Sequence, residues 1–393
     1  MFSLQIPIRN FICFHNCQLI LLQLSIVFCY FVPLFPKRTL ISMYFKSLQS
    51  LRGLFALLIF FSHFHYSNKI GSPFPAGGDA GVVFFFILSG FVMSLGYMDK
   101  LHKIWYNRNF PKFIWNRLSK IFPLHILCLL FSVKIFYATD LFPDLTSLLL
   151  LQAWIPYPNW YFSGNGVSWC LSDFLFFYIA VPFIFKLYTN HKRNFILVFL
   201  LITFIYASII IPLIPRNFVN AIVYICPLTR ILDFVLGILL WECYNLIRNR
   251  YVPIQRYKTI LCGMSVLALF TVTVFCYNQF PSTYSLSILW WPSVCAIILY
   301  SVVCCPRLLG FRLSVKFGNL SFSFYLLHVL VIYACDMALK KIGLSLMPFP
   351  RLIFILTAAV MASTVAHYWF VLPVERYIRN RIKAIQDKNI SNL

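Results

Sequence analysis

Charge is the scarcest commodity in this chain. Only 11% of its 393 residues are Asp, Glu, Lys or Arg, and only 10 are acidic, while 61% are hydrophobic. A soluble core of this length has no use for so much apolar surface, whereas repeated spans of roughly 20 apolar residues do. Strict alternation of apolar and polar positions is also missing, because the apolar runs are continuous; that excludes a membrane β-barrel. No C-x-x-C pair and no Cys/His spacing suited to zinc occurs among the 13 cysteines. They are scattered through apolar runs, and even the vicinal Cys304-Cys305 pair reads as packing or lipid-facing side chains. No repeat relates the two halves, so the inverted-repeat signature of many transporters is missing. The glycines of Gly164-Asn165-Gly166 suit a turn but not a phosphate loop, since no helix-opening lysine follows.

What is present is a series of apolar runs near 11–35, 53–66, 80–97, 121–138, 170–188, 195–214, 223–246, 260–277, 284–305, 320–339 and 352–374. They predict an all-α fold: a polytopic transmembrane helical bundle of about ten core helices. The first run is set apart. Residues 1–42 are read as an N-terminal hydrophobic extension, either an extra helix or the product of an upstream start codon, and 43–393 as the membrane domain. The link 137–168 is the longest and holds a short apolar piece, Leu145 to Ile155, expected to lie at the interface or to re-enter.

The 33 Lys and Arg give a formal net charge of +23. In a soluble protein this would suggest nucleic acid, but the bases cluster in the short connections 99–120, 247–258 and 306–316 and in the tail after Val374. Links 139–167 and 278–283 carry none. The positive-inside rule therefore puts the basic links and the C-terminus in the cytoplasm and calls for a bilayer rather than nucleic acid as partner. Lys340, Lys341 and Arg351 run against that pattern.

One apolar run carries groups that hydrocarbon does not welcome. Leu51 to Tyr66, LRGLFALLIFFSHFHY, holds Arg52, His63 and His65. Intramembrane ionisable residues are functional candidates by default. On a helix, eleven residues turn through about 1100°, so Arg52 and His63 share a face, His63 about 16 Å further along. Arg52 is then expected at the cytoplasmic edge and His63 near mid-membrane, with His65 pointing away. Ser321, Tyr325 and His328, at i, i+4 and i+7, form a second polar stripe at a depth similar to that of His63. Asp173 lacks an obvious local partner, while Arg230 and Asp233 are i, i+3 neighbours able to neutralise each other. QAWIPYPNWYFSGNGVSW is rich in aromatics and asparagine, which suits either a membrane interface or sugar faces.

These motifs resemble the membrane-bound acyltransferase-3 family of O-acyltransferases. The family's arginine, ten residues, histidine pattern is matched by Arg52 and His63. GDAGVVFFFILSGFVMS is similar to its second helix, through Gly81, Ser89, Gly90 and Phe91. FIWNRLSKIFPLH looks like the basic entry to the third, through Arg117, Pro123 and His125, with Lys120 where an arginine is usual. GNGVSWCLSDFLFFYIAVP matches at Asn165, Trp169 and Pro182, with Asp173 replacing the usual glutamate. PLTRILDFVLG matches at Arg230, Asp233, Phe234 and Gly237. FGNLSFSFYLLH matches at Gly318, Ser321, Tyr325 and His328. VERYIR resembles the exit, although Tyr377 stands where proline is common.

The resemblance implies transfer of an acyl group, usually acetyl from acetyl-CoA, to a hydroxyl on a carbohydrate or glycan. It also implies an integral membrane protein, expected in the bacterial inner membrane. Arg52, Arg117 and Lys120 would suit the phosphates of an acyl-CoA donor. A sugar hydroxyl needs a base with a pKa near the working pH, which favours histidine. Hence the expected catalytic set is His63, Arg52, His328 and Asp173. Substrate contacts are expected from Arg117, Lys120, Ser321, Tyr325, Trp169, Asn165 and Arg230, with no metal and no resident cofactor. The rival reading is a carrier of glycans or small metabolites without acyl-transfer chemistry, since polar stripes at mid-depth serve transporters as well. A catalytically idle assembly partner for polysaccharide synthesis is a third.

Overall fold

The computed structural model describes residues 41–66, 71–98, 110–136, 141–249, 256–279, 287–304 and 310–391. Most of the extension 1–42 lies outside these residues, as do Lys100, Lys103, Arg108, Arg250 and Arg307 of the basic links. The described residues form helices and turns, with no strand among them. The long helices are α1 (Ile41–His63), α2 (Gly77–Tyr97) and α3 (Phe110–Phe136). Two short helices follow, α4 (Leu141–Leu148) and α5 (Pro158–Tyr161). Then come α6 (Trp169–Asn190), α7 (Lys192–Leu213), α8 (Pro227–Asn249), α9 (Arg256–Gln279) and α10 (Ser287–Val303). The chain closes with α11 (Arg312–Lys341), α12 (Pro348–Val365) and α13 (Leu372–Ser391).

Among the described residues, 8 helices are long and apolar enough to cross a membrane, and α10 is a shorter apolar helix. Many side chains pointing away from the core are correspondingly oily: Leu200, Leu201, Phe204, Leu267 and Phe275 are all exposed. This is a polytopic helical bundle.

The helices outrun their apolar runs, because a helix continues through the headgroup region after hydropathy has fallen. α3 begins eleven residues before the run at 121, so Lys112, Arg117 and Lys120 sit on a helix rather than in a link. α11 likewise begins at Arg312, well before the run at 320.

Contacts group the chain into two compact units. The first comprises Met1–Ile59, Ala76–Ser94 and Asp233–Asn319. Its packing depends on small residues. A Cβ on Gly90 would strike the Phe234 carbonyl, and one on Gly237 would strike the Ile87 carbonyl, so α2 and α8 pass backbone against backbone. Without a hydrophobic drive between helices in lipid, such close approach supplies the van der Waals contact that holds a pair together. Phe55 of α1 stacks on Phe84 of α2 with ring centroids 3.9 Å apart. Ser50 and Ser314 hydroxyls meet at 2.7 Å between α1 and α11.

The second unit comprises Phe60–Pro75, Leu95–Leu232 and Leu320–Leu393. Here the long link folds as α4, a single turn at Gln152–Trp154, and α5. It exposes many oily residues, among them Leu141, Phe142, Leu145, Leu149, Leu151 and Trp154, and buries Ser147, Gln152, Asn165 and Ser168. The piece 145–155 is therefore far too broken to span. Gly164 closes the turn with φ of +61°, a backbone conformation that glycine adopts without a Cβ penalty.

Candidate active site

Two imidazoles come together in the second unit. His63 is the last residue of α1 and His328 sits mid-way along α11. Their ring centroids are 5.0 Å apart, edge to face, with His328 Nε2 3.3 Å from His63 Nδ1. His328 is fully buried, walled by Phe60, Phe324 and Tyr325, whereas His63 is exposed.

The hydrogen bonds assign the protons. His328 Nδ1 lies 2.6 Å from the Tyr325 carbonyl oxygen, which can only accept, so Nδ1 carries the hydrogen and donates it. In the neutral ring the lone pair of His328 is then on Nε2, facing His63 Nδ1. His63 donates from Nδ1 to that lone pair, with the Ser62 hydroxyl also 3.4 Å from Nδ1, and its own basic lone pair falls on Nε2. The order carbonyl, imidazole, imidazole fixes one tautomer at the exposed end, as an orienting acceptor does for a catalytic histidine.

Both ends of that chain are braced. The Tyr325 hydroxyl donates to the Val167 carbonyl at 2.8 Å and accepts from the Cys170 thiol at 3.1 Å. Asn165 Nδ2 donates to the Leu326 carbonyl at 2.8 Å. His125 Nε2 donates to the Ser147 carbonyl at 2.8 Å, tying α3 to the long link. On the other side, the His65 imidazole donates to the His63 carbonyl at 3.1 Å, satisfying one of the carbonyls that a helix end leaves over.

The remaining expected residues separate into groups. Arg52 lies eleven residues before His63 on the same helix, and its Nη1 donates to Gln49 Oε1 at 3.0 Å. Asp173 and Arg230 are both buried, and both act electrostatically on Cys170. The Arg230 guanidinium also lies 5.4 Å from the Tyr224 ring, which in turn packs on Trp169 at 5.1 Å. Ser321 is fully buried, and its Oγ has no hydrogen-bond partner among the described residues. Lys120 is exposed on α3.

Several expectations change in the details. His63 sits at a helix end, not in a helix interior, because α1 stops there and the chain turns away. His65, expected to point elsewhere, caps the same helix. Asp233 also has a long-range partner, since Trp291 Nε1 donates to its Oδ1 at 2.5 Å in the first unit. Arg117 is enclosed by the rings of Tyr97, Phe113 and Tyr178 at 5.0, 5.5 and 5.7 Å, a cation–π box around the guanidinium. Glu375 pairs with Arg379 one turn on, at 2.6 Å.

The arrangement has the parts of a general base, and comparison with known proteins gives the family. A family model described as an acyltransferase domain matches residues 45–369. The chain belongs to the acyltransferase-3 family. Acyltransferase MdmB of Streptomyces mycarofaciens is 30% identical over 161 residues, which cover 36% of this chain and 39% of that protein. The chain thus spans about two fifths of the length of that curated relative. No solved structure matches it.

In this member of the acyltransferase-3 family, sequence reasoning passed over several residues that build the site. Cys170 and the Val167 carbonyl hold Tyr325, and Cys128 lies with its thiol 3.9 Å from the Leu326 carbonyl. Apolar context disguised both cysteines as packing. Asp336 and Arg351 form a bidentate pair, Nε to Oδ1 at 2.8 Å and Nη2 to Oδ2 at 2.6 Å. The one signal for it was Arg351 standing on the wrong side of the charge pattern.

Proposed function

We propose that this integral-membrane acyltransferase moves an acyl group, acetyl in the simplest case, from acyl-CoA to a hydroxyl of a carbohydrate or cell-surface glycan. The observation that carries the reading is the Tyr325 carbonyl–His328–His63 chain, which presents a basic imidazole nitrogen at an exposed helix end. In the reaction, His63 Nε2 takes the proton of the acceptor hydroxyl as its oxygen attacks the thioester carbonyl. The tetrahedral intermediate collapses with loss of the CoA thiolate, which recovers the proton from the His63 imidazolium. His328 accepts the His63 Nδ1 hydrogen throughout and stabilises the positive ring in mid-reaction. No resident cofactor enters these steps. Arg52, Arg117 and Lys120 are the candidates for the donor's phosphates, and Asp173, Arg230, Trp169 and Ser321 for the acceptor.

The bacterial inner membrane, with the C-terminus in the cytoplasm where acyl-CoA is made, suits the lysine and arginine distribution. The test uses purified protein in lipid nanodiscs with acetyl-CoA and a panel of glycan acceptors, read by thiol release and by mass of the product. His63→Ala is expected to lose about 10²–10⁴-fold in rate, the usual contribution of a general base, while remaining folded. Full activity in that variant refutes the role given to His63.

A further inference from the structure

A second group is built around the residues that follow His63. Phe64 is buried and Tyr66 packs edge-on against it at 5.6 Å. The Arg351 guanidinium lies over the Phe64 ring, 4.8 Å from its centroid. Its Nη1 donates to the His65 carbonyl at 2.6 Å. Its remaining edge forks onto the Asp336 carboxylate. One side chain at the start of α12 therefore holds both residues immediately beyond His63, and ties them to α11.

Asp336 is eight residues beyond His328 on that helix. At about 1.5 Å per residue the two are roughly 12 Å apart along its axis. The end of α1 is thus attached to α11 at two levels, once through the imidazoles and once through the guanidinium. A helix terminus is where fraying begins, since its last carbonyls lack intrahelical partners. Fraying here would swing His63 itself. A lysine could not substitute, because only a planar guanidinium supplies the fork, the third donor and the ring contact together.

We propose that Arg351 and Asp336 are positioning residues for acyl transfer, a clamp that fixes the His63 imidazole against His328. This rests on the reading of His63 as the base. The pair touches no reacting atom; it acts by holding the end of α1 in the one place where the tautomer chain closes. An ion pair serving stability alone would not need the His65 carbonyl and the Phe64 face as well.

The experiment compares Arg351→Ala, Arg351→Lys, Asp336→Ala, Asp336→Glu, the double alanine variant and His63→Ala in nanodiscs. Arg351→Ala and Asp336→Ala are expected to lower kcat by about 10²-fold, the effect of an ångström-scale misplacement, with KM for acetyl-CoA unchanged. The double variant should be no worse than either single one. Arg351→Lys should stay low and Asp336→Glu should recover. A readout independent of turnover is diethylpyrocarbonate labelling of His63, mapped by mass spectrometry, expected to quicken about fivefold in Arg351→Ala as the helix end opens locally. Unchanged labelling, or a loss confined to KM, overturns the clamp. An active His63→Ala protein with altered labelling in Arg351→Ala instead overturns the base and leaves the clamp standing as geometry.

Discussion

Replacing His328 tests the tautomer chain directly, provided that stability and chemistry are separated. The side chain is fully buried among Phe60, Phe324 and Tyr325, so alanine would leave a cavity and cost about 2–4 kcal/mol of stability. Phenylalanine fills the volume but offers no lone pair to His63. His328→Phe should therefore fold close to normally, yet leave His63 Nδ1 without the acceptor now 3.3 Å away. The His63 ring would then turn and exchange tautomers. A misaligned base costs about 10²-fold in kcat, or about 2.7 kcal/mol at 1.36 kcal/mol per tenfold. His328→Gln places an amide oxygen within reach of the same hydrogen and should recover part of the rate. In the double variant His63→Ala, His328→Phe, activity should be no lower than in His63→Ala alone, because His328 acts through His63. The assay is thiol release from acetyl-CoA with acceptor, alongside thermal melting in detergent. If His328→Phe stays within about twofold of the parent, or the two changes multiply, the relay described above is wrong.

Two further outcomes concern the first unit. Gly237→Ala pushes a methyl into the Ile87 carbonyl, so α2 and α8 must separate; the expected cost is about 1–3 kcal/mol, read as a lower midpoint of thermal inactivation. Trp291→Phe removes the indole donor from the buried Asp233 carboxylate and should cost about 1–3 kcal/mol by the same measurement, whereas Trp291→His, which keeps a donor, should cost less.

The features legible in the sequence are those written in local spacing. The Arg52 to His63 interval survives because α1 is unbroken from Ile41 to His63. Ser321, Tyr325 and His328 fall on one buried stripe because a helix repeats every 3.6 residues. Hydropathy placed the passes but not their ends, since polar residues at the headgroup level are as helical as the apolar ones beside them. Partnerships between distant segments left no local trace. Nothing near Asp233 announces an indole 58 positions away, and nothing near Tyr325 announces the Val167 carbonyl. Asn165 and Tyr325 stand among the expected substrate contacts, and their amide nitrogen and hydroxyl hold backbone carbonyls that no local spacing announces. Polarity alone does not distinguish a side chain that binds ligand from one that sews two helices.

The link between α3 and α6 exposes Leu141, Phe142, Leu145, Leu149, Leu151 and Phe162 and buries Ser147, Gln152, Asn165 and Ser168. One inward residue, Asn165, braces the backbone next to His328, and His125 of α3 holds the Ser147 carbonyl of the link. In a bilayer that outward face would meet acyl chains, so delipidation in harsh detergent is expected to loosen the wall behind the imidazoles before it unfolds a single pass.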